Sequence, residues 1–187
     1  MSDKNRRVCP VETAGPLDSR IRRYFQNPRK ILAPYLKEGM CVLDMGCGPG
    51  FFSIEMARMV GGSGRIIASD LQEGMLGKVR GKIRGTELEE RITPHKCEED
   101  RIGISEMFDF VLAFYVLHEV PDQESFFKEI ASILKADGRI FIAEPPIHVS
   151  KSAFEETLGT ARNAGFVIAE RPKMFLSKTA LLEKGRQ

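Results

Sequence analysis

The sequence predicts an α/β fold: three layers built on a mostly parallel, seven-stranded sheet, with an antiparallel hairpin at the C-terminal end. Three observations carry this. From Lys37 onward, strand-like and helix-like runs alternate, the pattern of a parallel sheet with covering helices. Several strand-like runs are continuously apolar, as required of strands buried on both faces. The last two strand-like runs have no helix between them, so they must pair antiparallel.

The first five strands are expected at 40–45 (MCVLDM), 64–70 (GRIIASD), 91–96 (RITPHK), 108–115 (FDFVLAFY) and 138–144 (GRIFIAE). Helices are expected near 51–60, 73–84 and 123–135. In the last of these, Phe126, Phe127, Ile130, Ile133 and Leu134 form one apolar stripe at helical spacing. Asp122 is placed to cap its start, and Gly138 lies just past its end. Ser152 and Glu155 read as a capping box for a further helix running to about Ala164. The segment GFVIAERPKMFLSKTALLEK then supplies the hairpin, split by Arg171, Pro172 and Lys173. Residues 18–36 hold short helical patterns punctuated by Pro28 and Pro34.

A chain of 187 residues suits one domain, here residues 1–187, with a basic N-terminal arm over 1–37 and a catalytic core over 38–187. Apolar content of 42% and charged content of 29% are ordinary for a globular protein. The longest apolar run, FVLAFYVL, is far too short to cross a bilayer, and the opening MSDKNRRVCP has no apolar segment of a signal peptide. A cytoplasmic protein with no membrane partner is therefore expected. Cys9, Cys41, Cys47 and Cys97 lack paired metal spacing and read as reduced thiols, so no metal is expected. Charge is uneven. Residues 1–37 hold nine Lys/Arg against three acids, which leaves 19 bases against 23 acids in the rest. Such an arm either docks on the acidic body or meets an acidic partner such as nucleic acid.

The densest chemical signal is VLDMGCGPG, residues 42–50. The glycines form GxGxG after the first strand, a spacing that permits a tight turn and close backbone approach to a ligand. Glycines alone are weak evidence, because they punctuate many turns. Asp44 sharpens the reading. A carboxylate about 4 Å from a pyrophosphate charge costs roughly 4 kcal/mol at an effective dielectric near 20. The same carboxylate favours an ammonium or sulfonium by a similar amount. The second strand ends in Asp70, an acid placed to accept both hydroxyls of a ribose. A ribose at one acid and an amino-acid-like cation at the other describe S-adenosylmethionine.

VLDMGCGPG, the ASD of 68–70, FDFVLAFYVLHEVPD and LKADGRIFIAEP resemble, in order, the motifs of class I S-adenosylmethionine-dependent methyltransferases. The small LHEV subgroup of the ubiquinone and menaquinone biosynthesis type is nearest, and the resemblance covers about residues 38–185. It implies a Rossmann-like fold with the hairpin ending. It also implies that Asp44 and the backbone of Gly46, Cys47, Gly48 and Gly50 hold the methionine part. Asp70 would hold the ribose, Leu71 would pack on the adenine, and Phe114 would complete the cofactor-binding set. One departure stands out. Members often carry an Asp after the third strand to receive the adenine amino group, whereas this chain has HKCEED. Cys97 and Glu98 are expected to share that contact; a solvated acidic turn is the alternative for 98–100.

Methyl transfer from a sulfonium is an in-line displacement, so a base is needed only when the acceptor must lose a proton. Candidates beyond the fourth and fifth strands are Tyr115, His118 and Glu119, then Glu144 and His148. Tyr115, His118 and His148 are taken as the candidate catalytic set, while His95, inside a strand, reads as structural. The leading expectation is methylation of a small-molecule acceptor, yielding S-adenosylhomocysteine, with the basic arm as a lid. The alternatives are an RNA methyltransferase and, from a different class, a non-catalytic nucleotide-binding module or a nicotinamide enzyme. The RNA reading uses Arg6, Arg7, Arg20, Arg22, Arg23, Arg29 and Lys30 on phosphates.

Overall fold

A computed structural model describes residues 26–185. The sheet has the strand order β3-β2-β1-β4-β5-β7-β6. Its strands are β1 (Cys41–Met45), β2 (Arg65–Asp70), β3 (Ile92–Lys96), β4 (Phe108–Phe114), β5 (Leu134–Glu144), β6 (Phe166–Glu170) and β7 (Lys178–Lys184). The first five run parallel, and β7 pairs antiparallel with both β5 and β6. The predicted hairpin is therefore present, with its second strand inserted next to β5. Pro94 sits in β3, an edge strand, where its missing N–H leaves no gap in the middle of the sheet.

Helices cover both faces. One side carries α1 (Pro28–Leu32), α2 (Phe51–Val60) and α3 (Glu73–Ile83), with Leu32, Met56 and Leu76 fully buried against β1 and β2. The other carries α4 (Gln123–Ile133) and α5 (Lys151–Asn163), with Phe127 and Leu158 packed on β4 and β5. This is the predicted three-layer arrangement.

Several predicted boundaries move for physical reasons. Helix α4 starts where Asp122 accepts the Ser125 N–H at 3.0 Å, as expected, but it ends at Ile133. Leu134 already has extended backbone and pairs with Phe108, so its apolar side chain is buried from a strand. Gly138 then lies within β5, packed so closely on Leu134 that a Cβ would stand 2.7 Å from its Cγ. Helix α5 is capped by Ser150, whose hydroxyl accepts the Ala153 N–H, and not by Ser152. Glu155 instead forms a two-pronged ion pair with Arg171. The apolar Met174–Ser177 run, which reads as strand, is a connecting segment in which Leu176 has φ +50°.

The short helical pattern before Pro34 is α1, capped by Asn27, which accepts the Lys30 N–H. Leu32 and Leu36 are buried in the core, so residues 26–37 of the basic arm pack onto the body. The remainder of the arm lies outside the described residues, as do Cys9 and the arginines at 6, 7, 20, 22 and 23. The carboxyl ends of β1, β2, β4 and β5 come together at one edge of the sheet.

Candidate cofactor cleft and active site

That edge opens into a cavity of about 520 Å³, a size typical of small-molecule sites. Its floor is the predicted glycine turn, with Asp44, Gly46, Cys47 and Gly48 all in the lining. Strand β1 runs straight into the turn, and Gly46, Gly48 and Gly50 have φ of +64°, +54° and +84°. At Gly46 a Cβ would come within 2.6 Å of Val116 Cγ2, so the residue must be glycine for sterics as well as for backbone angle. At Gly48 a Cβ would meet no protein atom within 4 Å. The space over that turn is left open for a ligand. Gly50 does not line the cavity; it caps the start of α2. The Lys82 ammonium of α3 braces the turn by donating to the Pro49 carbonyl at 2.6 Å.

Two carboxylates face this turn from within the protein. Asp44 is 2% exposed and accepts the Ser53 hydroxyl at 2.5 Å. Asp70 is 7% exposed and accepts two backbone N–H groups, Gly48 at 2.8 Å and Gln72 at 2.9 Å. Burial raises the Asp70 carboxyl above the usual carboxylate range, and the two N–H donors oppose that shift. Asp70 is thus more enclosed than a free cleft-surface residue. Each oxygen of Asp70 accepts one of these N–H groups and keeps a second lone-pair direction for a ligand hydroxyl. The Cys47 thiol is pushed well above its ordinary value by burial, then by the charges of Asp44 and Asp70. It therefore stays protonated, a packing group and not a nucleophile.

Leu71, Cys97 and Glu98, the residues expected around an adenine, all line the cavity. Cys97 is buried and donates its N–H to the Asp70 carbonyl at 3.3 Å, whereas Glu98 is exposed. The acidic 98–100 turn is solvated, yet it continues into Arg101 and Ile102 along the cavity wall. Sequence reasoning missed what holds this wall. Glu129 of α4 accepts the N–H groups of Ile102 and Gly103, both at 2.9 Å. Phe114 also lines the cavity, and its ring packs on Phe52 with centroids 4.3 Å apart. Met75 and Phe126 are further lining residues, hidden in the sequence because they sit on ordinary apolar helix stripes.

The candidate catalytic residues divide. Tyr115 lines the cavity, follows directly after β4 with φ +61°, and accepts from Gln26 Nε2 at 2.7 Å. Its hydroxyl also meets Ser177 Oγ at 2.5 Å and the Leu176 carbonyl at 3.3 Å. His118 and His148 stand beside the cavity and not in its lining, with parallel rings at a centroid distance of 6.0 Å. His118 donates from Nδ1 to Glu144 Oε2 at 2.6 Å, and the other oxygen of Glu144 accepts the Leu117 N–H at 2.9 Å. The hydrogen bond to Glu144 raises the His118 value, against the opposing effect of burial. His148 is exposed. His95 bonds the Ile102 carbonyl at 2.7 Å, the structural role expected of it. Among the described residues no cluster of His, Cys, Asp or Glu is suited to a metal ion, and no helix is long and apolar enough to cross a membrane.

Residues 36–171 match the family of methyltransferase domains. The chain belongs to that family. This methyltransferase domain is 36% identical over 110 residues to the demethylmenaquinone methyltransferase of Lactobacillus johnsonii, covering 58% of this chain and 45% of that protein. It is 28% identical over 110 residues to a ubiquinone/menaquinone biosynthesis C-methyltransferase of Haemophilus ducreyi, covering 58% of this chain and 42% of that protein. The chain thus spans less than half the length of either relative. Among solved structures, a SAM dependent methyltransferase from Aquifex aeolicus superposes with a TM-score of 0.83 at 25% identity, over 94% of this chain and 98% of that one. The resemblance read from the motifs therefore holds: this is a class I S-adenosylmethionine-dependent methyltransferase domain with the Rossmann-like fold, and S-adenosylmethionine is its cofactor.

Proposed function

We propose that this methyltransferase domain transfers the methyl group of S-adenosylmethionine to a small organic acceptor. The observation that carries this reading is the pairing of two buried acids, Asp44 and Asp70, on one positive-φ glycine turn at a single cavity. A carboxylate at the turn suits a cationic amino acid and sulfonium, and repels a pyrophosphate. The cofactor, when bound, supplies an electrophilic methyl group on positively charged sulfur. Asp44 and the turn backbone hold its amino-acid end, Asp70 accepts the ribose hydroxyls, and Leu71, Cys97 and Glu98 flank the adenine. The protein's work is to bind, to align and to exclude water, since in-line displacement gains chiefly from positioning.

The acceptor approaches from the side of Tyr115, where the cavity wall meets the start of the described chain through Gln26. The basic arm serves as a lid over that side. The names of the relatives, which act in quinone biosynthesis, support a small-molecule acceptor over nucleic acid. Among the described residues, the free cysteines Cys41, Cys47 and Cys97 support a reducing compartment, the cytoplasm.

The test is to incubate the protein with methyl-labelled S-adenosylmethionine and either total RNA or a small-molecule extract. S-adenosylhomocysteine should form, with the label in the organic-extractable fraction. Label in RNA, with a steep loss at higher salt, makes the basic arm a nucleic-acid grip instead. Binding of a nicotinamide dinucleotide without binding of S-adenosylhomocysteine overturns the assignment altogether.

A further inference from the structure

Between β3 and β4 the chain runs from Cys97 to Met107 with no helix or strand, and its first half walls the cavity from Cys97 to Ile102. Such a segment takes one shape only through bonds to its neighbours. Here those bonds form a definite set. The Glu98 N–H donates to the Arg101 carbonyl at 2.9 Å and closes a turn. The Ile102 residue is held from both sides: its carbonyl accepts from His95 Nε2 at 2.7 Å, and its N–H donates to Glu129 Oε2 at 2.9 Å. Glu129 Oε1 takes the next N–H, that of Gly103, also at 2.9 Å. Gly103 has φ +73°, so two successive amides meet one carboxylate in the manner of a backbone anion nest. Glu129 itself lines the cavity from α4, and its charge reaches the Cys97 thiol.

The side chains of this wall are poorly suited to reading a base. Burial pushes the Cys97 thiol above its ordinary value, so it stays neutral and a weak hydrogen-bond partner. Glu98 is exposed. Recognition of the base edge then falls to main-chain groups, and these are only as well placed as the wall is held. We infer that Glu129 is the positioning residue that sets which base the cofactor site accepts. It does so by clamping Ile102 and Gly103, so that the main chain of 97–102 keeps one shape against the adenine edge. This rests on the placement of adenine in the proposed function above. Glu129 works through the main chain and is not itself a base contact. A carboxylate suits the task, because its two charged oxygens fix two amides at once with stronger bonds than a neutral acceptor makes.

Adenine presents an amino donor beside a ring-nitrogen acceptor. Hypoxanthine reverses both, with a carbonyl beside a ring N–H. A rigid wall matched to the first leaves polar groups unpaired against the second, and such unpaired groups are what make discrimination large. A loose wall adjusts to either base, and the preference fades.

The probes are S-adenosylhomocysteine and S-inosylhomocysteine, each titrated into the full chain by calorimetry. Wild type should bind the adenine ligand about tenfold more tightly or better. In Glu129→Ala that ratio should fall to about twofold or less, chiefly through weaker binding of the adenine ligand. Glu129→Gln keeps one acceptor oxygen and should lie between. A wild-type ratio retained in Glu129→Ala overturns the proposal even where both affinities drop, because a merely structural role lowers both alike. A wild-type protein that does not distinguish the two ligands overturns it as well. Hydrogen exchange on the wild type depends on no variant: saturating S-adenosylhomocysteine should slow the Ile102 and Gly103 amides about tenfold or more. Unchanged exchange at those amides overturns the clamp. No binding of S-adenosylhomocysteine at all sinks the methyltransferase reading, whereas binding without base preference sinks this inference alone.

Discussion

The backbone N–H of Gly48 donates to Asp70 Oδ2 at 2.8 Å, tying the glycine turn after β1 to the carboxyl end of β2. The second oxygen of the same carboxylate takes the Gln72 N–H where α3 begins. Asp70 is therefore both the expected ribose ligand and a clamp on the cavity floor.

For Asp70→Ala, both consequences follow. Two enclosed N–H groups lose a charged acceptor, so the ligand-free protein should lose about 1–3 kcal/mol in a denaturant melt. Affinity for S-adenosylhomocysteine should fall by about ten- to a thousand-fold, since hydrogen bonds to a charged group contribute roughly 1.5–3 kcal/mol each. Lost stability with intact binding would reduce Asp70 to a helix-start residue.

Gly46 and Gly48 make a contrasting pair. At Gly46 a methyl group meets Val116 Cγ2 at 2.6 Å, so Gly46→Ala should act first on folding, with about 1–3 kcal/mol lost to strain and overpacking. At Gly48 no protein atom stands within 4 Å of that position. Gly48→Ala should cost only the left-handed backbone penalty, about 1–2 kcal/mol, and its main effect should be weaker cofactor binding by the methyl group filling ligand space. Comparing melting midpoints with calorimetric affinities checks the order. Equal affinity losses would mean that the ligand does not lie over Gly48.

The Tyr115 hydroxyl joins three segments: Gln26 at the root of the arm, Ser177 before β7, and the end of β4. Tyr115→Phe should leave cofactor affinity nearly unchanged and lower turnover several-fold by loosening the acceptor side. Removing residues 1–25 should do so more severely while the body stays folded, because the buried Leu32 and Leu36 are retained. Full turnover without those residues would rule out a lid.

Protonation of His118 is linked to stability with a definite sign. Its folded value lies above the ordinary imidazole value of about 6.5, chiefly through Glu144. A raised value means that the contribution is fully present below the unfolded pKa and is lost as pH rises through the folded one. The gap in melting temperature between wild type and Glu144→Gln should thus be widest near pH 5.5 and narrow above the folded value. A gap that widened with pH would contradict the ion pair.

Much of this protein was legible in the residues alone. The order of β1 to β5 follows from continuous apolar runs alternating with amphipathic helices, because a strand buried on both faces admits few polar residues. That Asp44, Gly46, Gly48 and Asp70 would meet at the carboxyl ends of neighbouring strands was readable because backbone sterics act over a few residues. Tertiary structure decided what depends on distant partners. Leu134 reads as the last residue of a helix stripe, and pairing with Phe108 makes it strand. Met174–Ser177 has strand composition, yet it connects two strands because β7 must start opposite Glu144. Glu129 looks like one more solvated helix acid until Ile102 and Gly103 fold back onto it. His118 and Glu144 lie 26 positions apart, and only the parallel pairing of β4 with β5 sets imidazole against carboxylate. A hydrogen bond acts over about 3 Å of space and carries no mark in the chain between its ends.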